Sequence, residues 1–377
     1  MKKLFLCILL VTLLLAGCYE PNNNDNPPKV NKIEKEQLHG DYVYWHGRHH
    51  YQNDLEYFYH TATGFRVSFT GRVIIINFEL SNNKNDVYFS ISKDGSSLLE
   101  DNVFILSNES KTLTISFETF ESHSIEVIKR SEPEDGTTSL KSIETNGYLT
   151  EYDNHYQDKP HFLLVGASGI SGHGALGEPG ESRTTKNSSS LHSFGFLSAN
   201  HYQGTYEFVS NSGWGLAFGY NDKSGKNNIL NAYSKIGISY NQQIIDIDYP
   251  SRKTPDIVIV NIGGNDYSAV INQLVGPAKE AKIQEFKNAV ASFILKIREE
   301  APNAHIFWTM TSGSLNGKAA GQVFELLDKK DKDYVHMVTI LGVAEGGDLA
   351  GANNHCSYLT HTKSANLLID EIDKYLI

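Results

Sequence analysis

The sequence predicts a two-domain protein in which an all-β sandwich precedes a doubly wound α/β domain. Short runs of β-branched and aromatic residues, separated by Gly and Asn turns, fill residues 38–150, and no long period of 3.6 residues occurs among them. Over residues 158–377, strand-like apolar runs alternate with amphipathic helical segments, a pattern typical of parallel strands covered on both faces. A chain of 377 residues is long enough for both domains.

The N-terminal residues are expected to lie outside both domains. Two lysines precede an apolar run of about a dozen residues, and Leu15-Ala16-Gly17-Cys18 has the small-residue pattern of a lipobox. Because a transmembrane helix needs roughly 20 apolar residues, we predict that residues 1–17 are the signal peptide of a bacterial lipoprotein and that Cys18 is lipidated. Residues 18–37 are rich in Asn, Pro and Lys and are predicted to be a flexible tether. The protein would then be anchored in the cell envelope, at the outer membrane or the cell surface.

Composition limits the partners. The formal net charge of −11 argues against nucleic acid, because neutralising phosphates needs a basic face. Once the signal is removed and Cys18 is acylated, Cys356 is the one free thiol, so no intrachain disulfide is expected. His46, His49 and His50 have no acidic or Cys ligand at a suitable spacing, and no metal or organic cofactor is expected.

Each domain has a predicted set of elements. In the β domain the strand-like runs alternate or are continuously apolar, and they cover residues 65–69, 73–78, 87–91, 113–117 and 124–128. In the α/β domain we predict strands at 162–165, 255–260, 305–310 and 334–338 and helices at 278–300, 321–327 and 364–376. The Ser- and Gly-rich segment 172–190 is expected to be a mobile loop beside a cleft.

The first α/β strand runs into a glycine-rich turn that carries a serine. The residues Gly166-Ala167-Ser168-Gly169-Ile170-Ser171-Gly172-His173-Gly174 read G-x-S-x-x-x-G-x-G. We predict that Ser168 is a nucleophile, with Ser171 as the alternative. A hydroxyl needs a base within hydrogen-bond reach. The candidate base is His355, in a loop before the last helix, and the alternative is His361.

Attack on an ester builds negative charge on the carbonyl oxygen, and fixed donors aimed at that oxygen stabilise it. The candidate donors are the backbone N–H of Ser168, the N–H of Gly213 in a Ser-Gly turn and the side-chain amide of Asn265 in Gly263-Gly264-Asn265-Asp266. Glycine allows a close backbone approach, and an amide donates without adding charge. Asn265 could instead cap the helix that follows, although Asp266 can fill that role.

These four blocks, which carry Ser168, Gly213, Asn265 and His355 in this order, resemble the SGNH (GDSL-type) hydrolases from about residue 160 to the end. The likeness extends into the N-terminal domain, where two stretches look like the jelly-roll domain of carbohydrate esterase family 2, acetyl esterases acting on plant polysaccharides. These stretches are 64–71 and 123–130. His355-Cys356-Ser357 stands where that family has H-P-S, with a second histidine, His361, six residues after the first.

The chain departs from the family pattern at the supports of the site. Ala167 stands where the group has Asp, and Cys356 replaces Pro. Ala352 and Asn353 occupy the positions expected for the triad acid, and the nearest upstream acid is Asp348. The resemblance implies that some family members work as a Ser-His dyad with a backbone carbonyl orienting the imidazole, and we predict such a dyad here, assisted by Asn353.

The resemblance implies a serine esterase of the acetylxylan or acetylmannan esterase type, which removes O-acetyl groups from plant polysaccharides or oligosaccharides without a cofactor. The reaction would pass through an acetyl-Ser168 intermediate, with His355 as general base. The alternative is a surface lipoprotein that binds glycan and whose hydrolase domain has lost catalysis. Ala167 and the missing acid favour this alternative.

Overall fold

The computed structural model describes residues 30–376 except 34, 39, 153–154 and 250–252. The predicted signal peptide and Cys18 lie outside the described residues, as does most of the predicted tether. No helix within the described ranges is long and apolar enough to cross a bilayer.

The N-terminal domain is a large antiparallel sheet around one apolar core, and the C-terminal domain is a parallel sheet with helices on both faces, which confirms the predicted fold class. The β-domain strands are β1 (Asn31–Lys32), β2 (Val43–His46), β3 (His49–Gln52), β4 (Leu55–Phe58), β5 (Gly64–Asn83), β6 (Val87–Lys93), β7 (Val103–Leu106), β8 (Thr112–Lys129), β9 (Gly136–Thr145) and β10 (Tyr148–Thr150). Short 3-10 helices occur at Lys35–Leu38 and Pro133–Asp135.

Two long strands organise the β domain. The runs predicted separately at 65–69 and 73–78 are one strand, β5, and those at 113–117 and 124–128 are one strand, β8. A register shift between Gly71 and Val73 changes the partners of β5, which pairs with β2 and β10 before the shift and with β9 after it. Gly71 reads as a turn in the sequence, but in the sheet it marks this irregularity.

The predicted tether is too long. β1 pairs antiparallel with β9, and the side chains of Ile33 and Leu38 are buried in the core of the sandwich. These two apolar side chains are isolated in a polar stretch, so the pattern alone did not mark them as core. The predicted boundary at residue 38 therefore cuts off the first strand of the domain.

The parallel sheet has the order β12-β11-β15-β16-β17. Its strands are β11 (His161–Gly166), β12 (Thr205–Ser210), β15 (Ile257–Asn261), β16 (His305–Thr311) and β17 (Val335–Ile340), and a separate antiparallel pair is formed by β13 (Lys235–Ile238) and β14 (Ile244–Asp248). The edge strand β12 was not predicted from the sequence. All five strands run parallel.

Helices cover both faces of this sheet. They are α1 (Ser168–Ser171), α2 (Phe194–His201), α3 (Ile229–Ala232), α4 (Gly264–Ala269), α5 (Gly276–Glu300), α6 (Leu315–Phe324), α7 (Lys329–Lys332) and α8 (Tyr358–Ile372), with 3-10 turns at Ser190–His192, Ile271–Gln273, Glu345–Gly347 and Ala352–Asn354. Side chains of α5 and α6 join one apolar core with the strands, and those of α2 and α8 join another. Both α6 and α8 begin six residues before the predicted helices at 321–327 and 364–376, because their first turns carry polar residues that hide the period.

The strand order determines where a ligand can bind. The chain leaves β11 for β12 on one side and later returns to β15 on the other side, so the connections diverge at the carboxyl ends of β11 and β15. Crevices of doubly wound sheets lie at such a switch point. Ser168 follows β11 and Asn265 follows β15, so the two predicted site residues lie at this crevice.

Candidate active site

Ser168 begins the one-turn helix α1, directly after the buried strand β11. The turn is closed by Gly172 in the left-handed region, with φ 63°. A Cβ on Gly174, which has φ 67°, would come within 2.2 Å of the Ala352 carbonyl oxygen. These glycines are therefore required both by the backbone conformation and by the loop that packs on the turn.

Ser168, and not the alternative Ser171, reaches the cleft. Ser171 is fully buried, and its hydroxyl donates to Ser210 Oγ at 3.1 Å. Ser168 is half-buried and lines a cavity of about 180 Å³ together with Asn265. This volume is below the ~300–1,000 Å³ of pockets for drug-sized ligands, so the cavity suits a small acyl group.

The predicted base His355 lies in the loop that packs against the serine turn. Its Nδ1–H donates to the backbone carbonyl of Asn353 at 2.8 Å. With the proton fixed on Nδ1, Nε2 carries the lone pair that a general base needs. Asn353 and Asn354 have φ values of 52° and 54°, a left-handed conformation that Asn tolerates better than most residues.

His355 lies beside the serine turn, but no hydrogen bond joins the side chains of His355 and Ser168 among the described residues. The link is His173, whose backbone N–H donates to the Ser168 carbonyl at 3.1 Å and whose ring lies 4.4 Å from the His355 ring between centroids. Catalytic hydrogen bonds are often long without substrate and tighten when it binds.

Neither alternative polar group takes over this role. Asp348 is engaged elsewhere, by Lys363 Nζ at 2.6 Å and by the Thr360 hydroxyl at 3.1 Å. His361 is buried, accepts the Phe194 N–H at its Nδ1 at 3.2 Å, and has its pKa lowered to about 3 by that burial. His361 therefore supports α2, and the position expected for a triad acid is filled by a backbone carbonyl.

The elements that carry the two other predicted oxyanion donors, Gly213 and Asn265, are bonded to each other. The Asn265 Nδ2 donates to the Trp214 carbonyl at 2.7 Å, which leaves its second hydrogen for a ligand. Gly213, with φ 80°, precedes that tryptophan. Buried Asp266 accepts the N–H groups of the segment 216–218 at 2.7–2.9 Å. The α4 terminus and the Gly213 turn are thus one rigid unit.

Burial lowers the pKa of His355, and the nearby His173 lowers it further. The hydrogen bond to the Asn353 carbonyl and the charge of Glu132 act in the opposite direction and raise the pKa. The neutral imidazole, which can accept a proton, therefore persists to lower pH than in an ordinary histidine.

Two residues beside the site, Glu132 and His173, were not predicted from the sequence. His173 is a variable position inside the G-x-G motif, and Glu132 is one of three acids after β8. In the fold, His173 Nδ1 lies 3.0 Å from Glu132 Oε1. The one available signal was that Glu132 follows directly after an apolar strand. This signal does not predict which residues Glu132 contacts.

Two family descriptions match the chain. Residues 45–150 match the carbohydrate esterase 2 N-terminal domain, and residues 162–362 match the GDSL-like lipase/acylhydrolase family. Among characterised relatives, an acetylxylan esterase / glucomannan deacetylase from Cellvibrio japonicus is 26% identical over 191 residues, 50% of this chain and 51% of that protein. The chain thus matches about half the length of this relative.

Solved structures share the fold across both domains. An acetyl xylan esterase from the rumen bacterium Butyrivibrio proteoclasticus superposes with a TM-score of 0.76 at 18% identity, over 92% of this chain and 98% of that one. A family two carbohydrate esterase from Clostridium thermocellum in complex with cellohexaose gives a TM-score of 0.72 at 20% identity, over 88% and 98%. The order of the two domains and the folds of both are therefore those of these enzymes.

The family match covers more than half of the chain, and it includes the serine turn, the Gly213 and Asn265 blocks and the His355 loop. The chain belongs to the GDSL-like lipase/acylhydrolase family and is an SGNH hydrolase of carbohydrate esterase family 2.

Proposed function

We propose that this protein is a serine esterase that removes O-acetyl groups from plant polysaccharides or oligosaccharides. The observation that carries the proposal is the His355 imidazole, whose Nδ1–H is bonded to the Asn353 carbonyl beside the turn of Ser168. A neutral histidine of this tautomer next to a half-buried serine at the mouth of a small cleft is suited to nucleophilic acyl transfer.

The reaction would proceed in two halves. His355 Nε2 takes the Ser168 proton as Oγ attacks the acetyl carbonyl, and the oxyanion accepts the N–H of Ser168, the N–H of Gly213 and the amide of Asn265. The sugar oxygen leaves with the proton from His355, which forms acetyl-Ser168. His355 then removes a proton from water, whose oxygen attacks the acetyl carbonyl. The bond to Ser168 Oγ breaks, Oγ takes the proton back from His355, and acetate leaves.

The imidazolium formed in each half would be stabilised by the Asn353 carbonyl, which accepts its Nδ1–H. A carbonyl carries only a partial charge, so it stabilises the cation less than a carboxylate does. A dyad supported in this way is expected to be slower than an enzyme with a triad acid, and more dependent on the other groups around His355.

Two observations support an acetylated glycan as the substrate. The cleft beside Ser168 and Asn265 is small, so it suits an acetyl group better than a long acyl chain. The Cellvibrio relative is an acetylxylan esterase / glucomannan deacetylase, and the Clostridium structure holds cellohexaose. These relatives indicate acetylxylan and acetylmannan as the first polymers to test.

The test compares Ser168→Ala with a matched control, Ser171→Ala. We expect the wild type to hydrolyse p-nitrophenyl acetate and to release acetate from acetylxylan or acetylmannan. Ser168→Ala should lose both activities and labelling by a fluorophosphonate. Ser171→Ala removes a buried hydroxyl three residues away and should keep all three. Wild-type turnover by the Ser168→Ala variant would overturn the assignment.

One other function is favoured by a specific observation. Ala167 replaces the acid that the family uses to brace the turn, and Ser168 makes no hydrogen bond with His355 in the described structure. A chain that binds glycan without catalysis would show this arrangement. Saturable binding of cello- or xylo-oligosaccharide, with neither phosphonate labelling nor acetate release, would favour this function over the esterase.

We also propose that the protein is held at the cell envelope by a lipid on Cys18, as the lipobox pattern at residues 15–18 indicates. A multiply acylated cysteine gives stable anchoring. The enzyme would then act on polysaccharide or on fragments at the envelope.

A further inference from the structure

Glu132 is a fully buried carboxylate of the β domain that faces the hydrolase domain. It follows β8 and precedes the 3-10 helix Pro133–Asp135, and its backbone N–H donates to Asp135 Oδ2 at 3.0 Å. Burying a charge costs several kcal/mol unless it is paired and hydrogen-bonded. The groups that offset the cost of burying the Glu132 charge therefore indicate the role of this residue.

The partners of Glu132 lie in the hydrolase domain, each beside a predicted catalytic block. Oε2 accepts the Ser212 N–H at 2.7 Å, and Oε1 accepts the Ser212 hydroxyl at 2.8 Å. Oε1 also accepts the Nδ1–H of His173 at 3.0 Å. Ser212 precedes the oxyanion residue Gly213, and His173 belongs to the turn that presents Ser168.

His173 extends this connection to the third block. Because its proton is on Nδ1, its Nε2 is an acceptor, and Asn353 Nδ2 donates to it at 3.1 Å. The carbonyl of the same Asn353 accepts the Nδ1–H of His355. An unbroken chain of hydrogen bonds thus runs from Glu132 through His173 and Asn353 to the base.

A neighbouring ion pair keeps Glu132 charged. Arg183, from the segment expected to be a mobile loop, makes two hydrogen bonds to Asp135 at 2.5 and 2.6 Å and lies 3.6 Å from Glu132 Oε1. Burial by itself would raise the pKa of Glu132, but the hydrogen bonds from His173 and Ser212 and the charge of Arg183 hold that pKa below its ordinary value. The loop is thus pinned to the β domain at this point, and the carboxylate is ionised at neutral pH.

We propose that Glu132 is a positioning residue for acyl transfer: one carboxylate from the β domain sets the Gly213 turn through Ser212 and sets His355 through His173 and Asn353. This inference rests on the proposed esterase function. A triad acid supports its histidine directly. Here the carboxylate of the other domain would support His355 indirectly, through His173 and Asn353. The β domain would therefore be part of the catalytic unit as well as a neighbour of it.

Glu132 also acts on the base through its charge. A negative charge behind His173 stabilises the imidazolium of His355 and raises the pKa of that base. Removing the charge should lower that pKa, so the acid limb of the pH profile should move to lower pH. A merely structural loss would reduce the amount of active protein without moving this limb. The titratable groups around this unit are His173, Glu132 and His361 near His355, and Arg183, Glu134 and Asp135 near Glu132.

The test is Glu132→Gln in the full chain, with p-nitrophenyl acetate as substrate. Because a displacement of about 1 Å can cost about 100-fold in rate, we expect kcat to fall about 10- to 100-fold, with KM within about twofold of wild type. The acid limb of kcat/KM should move to lower pH. His173→Gln cuts the connection to Asn353 while leaving Ser212 bonded, and it should also lower kcat.

The matched control is Glu126→Gln, another buried β-domain carboxylate, which accepts the Tyr156 hydroxyl at 3.1 Å and pairs with His46. It should keep the wild-type kcat and pH profile. Equal losses in Glu126→Gln and Glu132→Gln, or a Glu132→Gln enzyme with wild-type kcat and acid limb, would overturn the proposal.

A measurement without substrate separates this proposal from the esterase assignment. NMR titration of histidine-labelled protein, with His355 assigned by its substitution, gives the midpoint of His355 directly. We expect the His355 midpoint of Glu132→Gln to be lower than that of the wild type, and the midpoint of Glu126→Gln to equal that of the wild type. A wild type inactive on every ester would refute the proposed function alone, whereas an unchanged His355 midpoint in Glu132→Gln would refute the role of Glu132.

Discussion

The substitution Asp266→Asn tests whether the Gly213 turn and the start of α4 work as one unit. Asp266 Oδ1 accepts the N–H groups of Ala217 and Phe218 at 2.7 and 2.8 Å, and Oδ2 accepts that of Leu216 at 2.9 Å. An asparagine is nearly the same size and keeps one oxygen. Its NH₂ group, however, would face the Leu216 N–H, so one buried donor would lose its acceptor.

The magnitude follows from these three bonds. An unpaired buried donor costs about 1–3 kcal/mol, and each hydrogen bond to a charged group is stronger than its neutral counterpart by about 1 kcal/mol. Removing a buried charge recovers part of this free energy. We therefore expect the free energy of unfolding of Asp266→Asn to fall by about 2–4 kcal/mol.

The same change should slow the enzyme, because Gly213 and the anchor of Asn265 belong to the loosened segment. A shift of the oxyanion donors by a fraction of an ångström to 1 Å corresponds to a loss of about 10- to 100-fold in kcat. The assays are urea unfolding followed by tryptophan fluorescence and initial rates on p-nitrophenyl acetate under conditions where the variant is folded.

The control is Asp331→Asn. Asp331 lies on α7, away from the cleft, and its buried carboxylate accepts a hydrogen bond from Arg298 Nε at 3.3 Å. This substitution should lower the free energy of unfolding and leave kcat unchanged. If Asp266→Asn were less stable but kept the wild-type kcat, the reasoning that joins Asp266 to the oxyanion donors would be refuted.

Three further predictions address the base and the anchor. Because the pKa of His355 is lowered from its ordinary value of 6.5 and the neutral form is the active one, the midpoint of the acid limb of kcat/KM should lie below pH 6.5; a midpoint at or above 6.5 would contradict this. Asp348→Ala should keep most of the turnover because that carboxylate is paired with Lys363, whereas His355→Ala should lose it; equal losses, measured on the same ester, would restore a triad. Cys18→Ser should abolish incorporation of labelled palmitate and release the protein from the membrane fraction; continued labelling would place the lipid elsewhere.

Much of the fold was readable because its signals are local. The alternation of apolar strands with amphipathic helices predicted the α/β domain. The helix predicted at 278–300 is α5, Gly276–Glu300, and its C-terminal end was predicted correctly. The edge strand β12 was not predicted, because its Thr-Tyr-Glu-Phe-Val-Ser pattern includes Glu207, whose carboxylate is buried against Arg48 of the β domain at 2.7 Å. An ion pair with a residue about 160 positions away leaves no local sign.

The predicted site residues were found in the same way, each from its own short motif. The roles of Ser168, Gly213, Asn265 and His355 remain predictions, although the fold brings all four to the carboxyl ends of β11, β12 and β15 or to the loop beside them. The choice between Ser168 and Ser171 could not be made from the motif, since it depends on which hydroxyl is buried against Ser210.

The sequence by itself determined the class of chemistry, because a serine in a glycine turn, a Gly-Gly-Asn-Asp block and a late histidine are recognisable without knowing their distances. Tertiary structure alone decided how the base is supported. The position of the expected acid holds Asn353, whose backbone conformation turns a carbonyl toward His355. The carboxylate that completes this arrangement, Glu132, comes from a different domain, 41 residues from His173 along the chain. Contacts of that kind depend on how two domains pack, and no local pattern of residues encodes them.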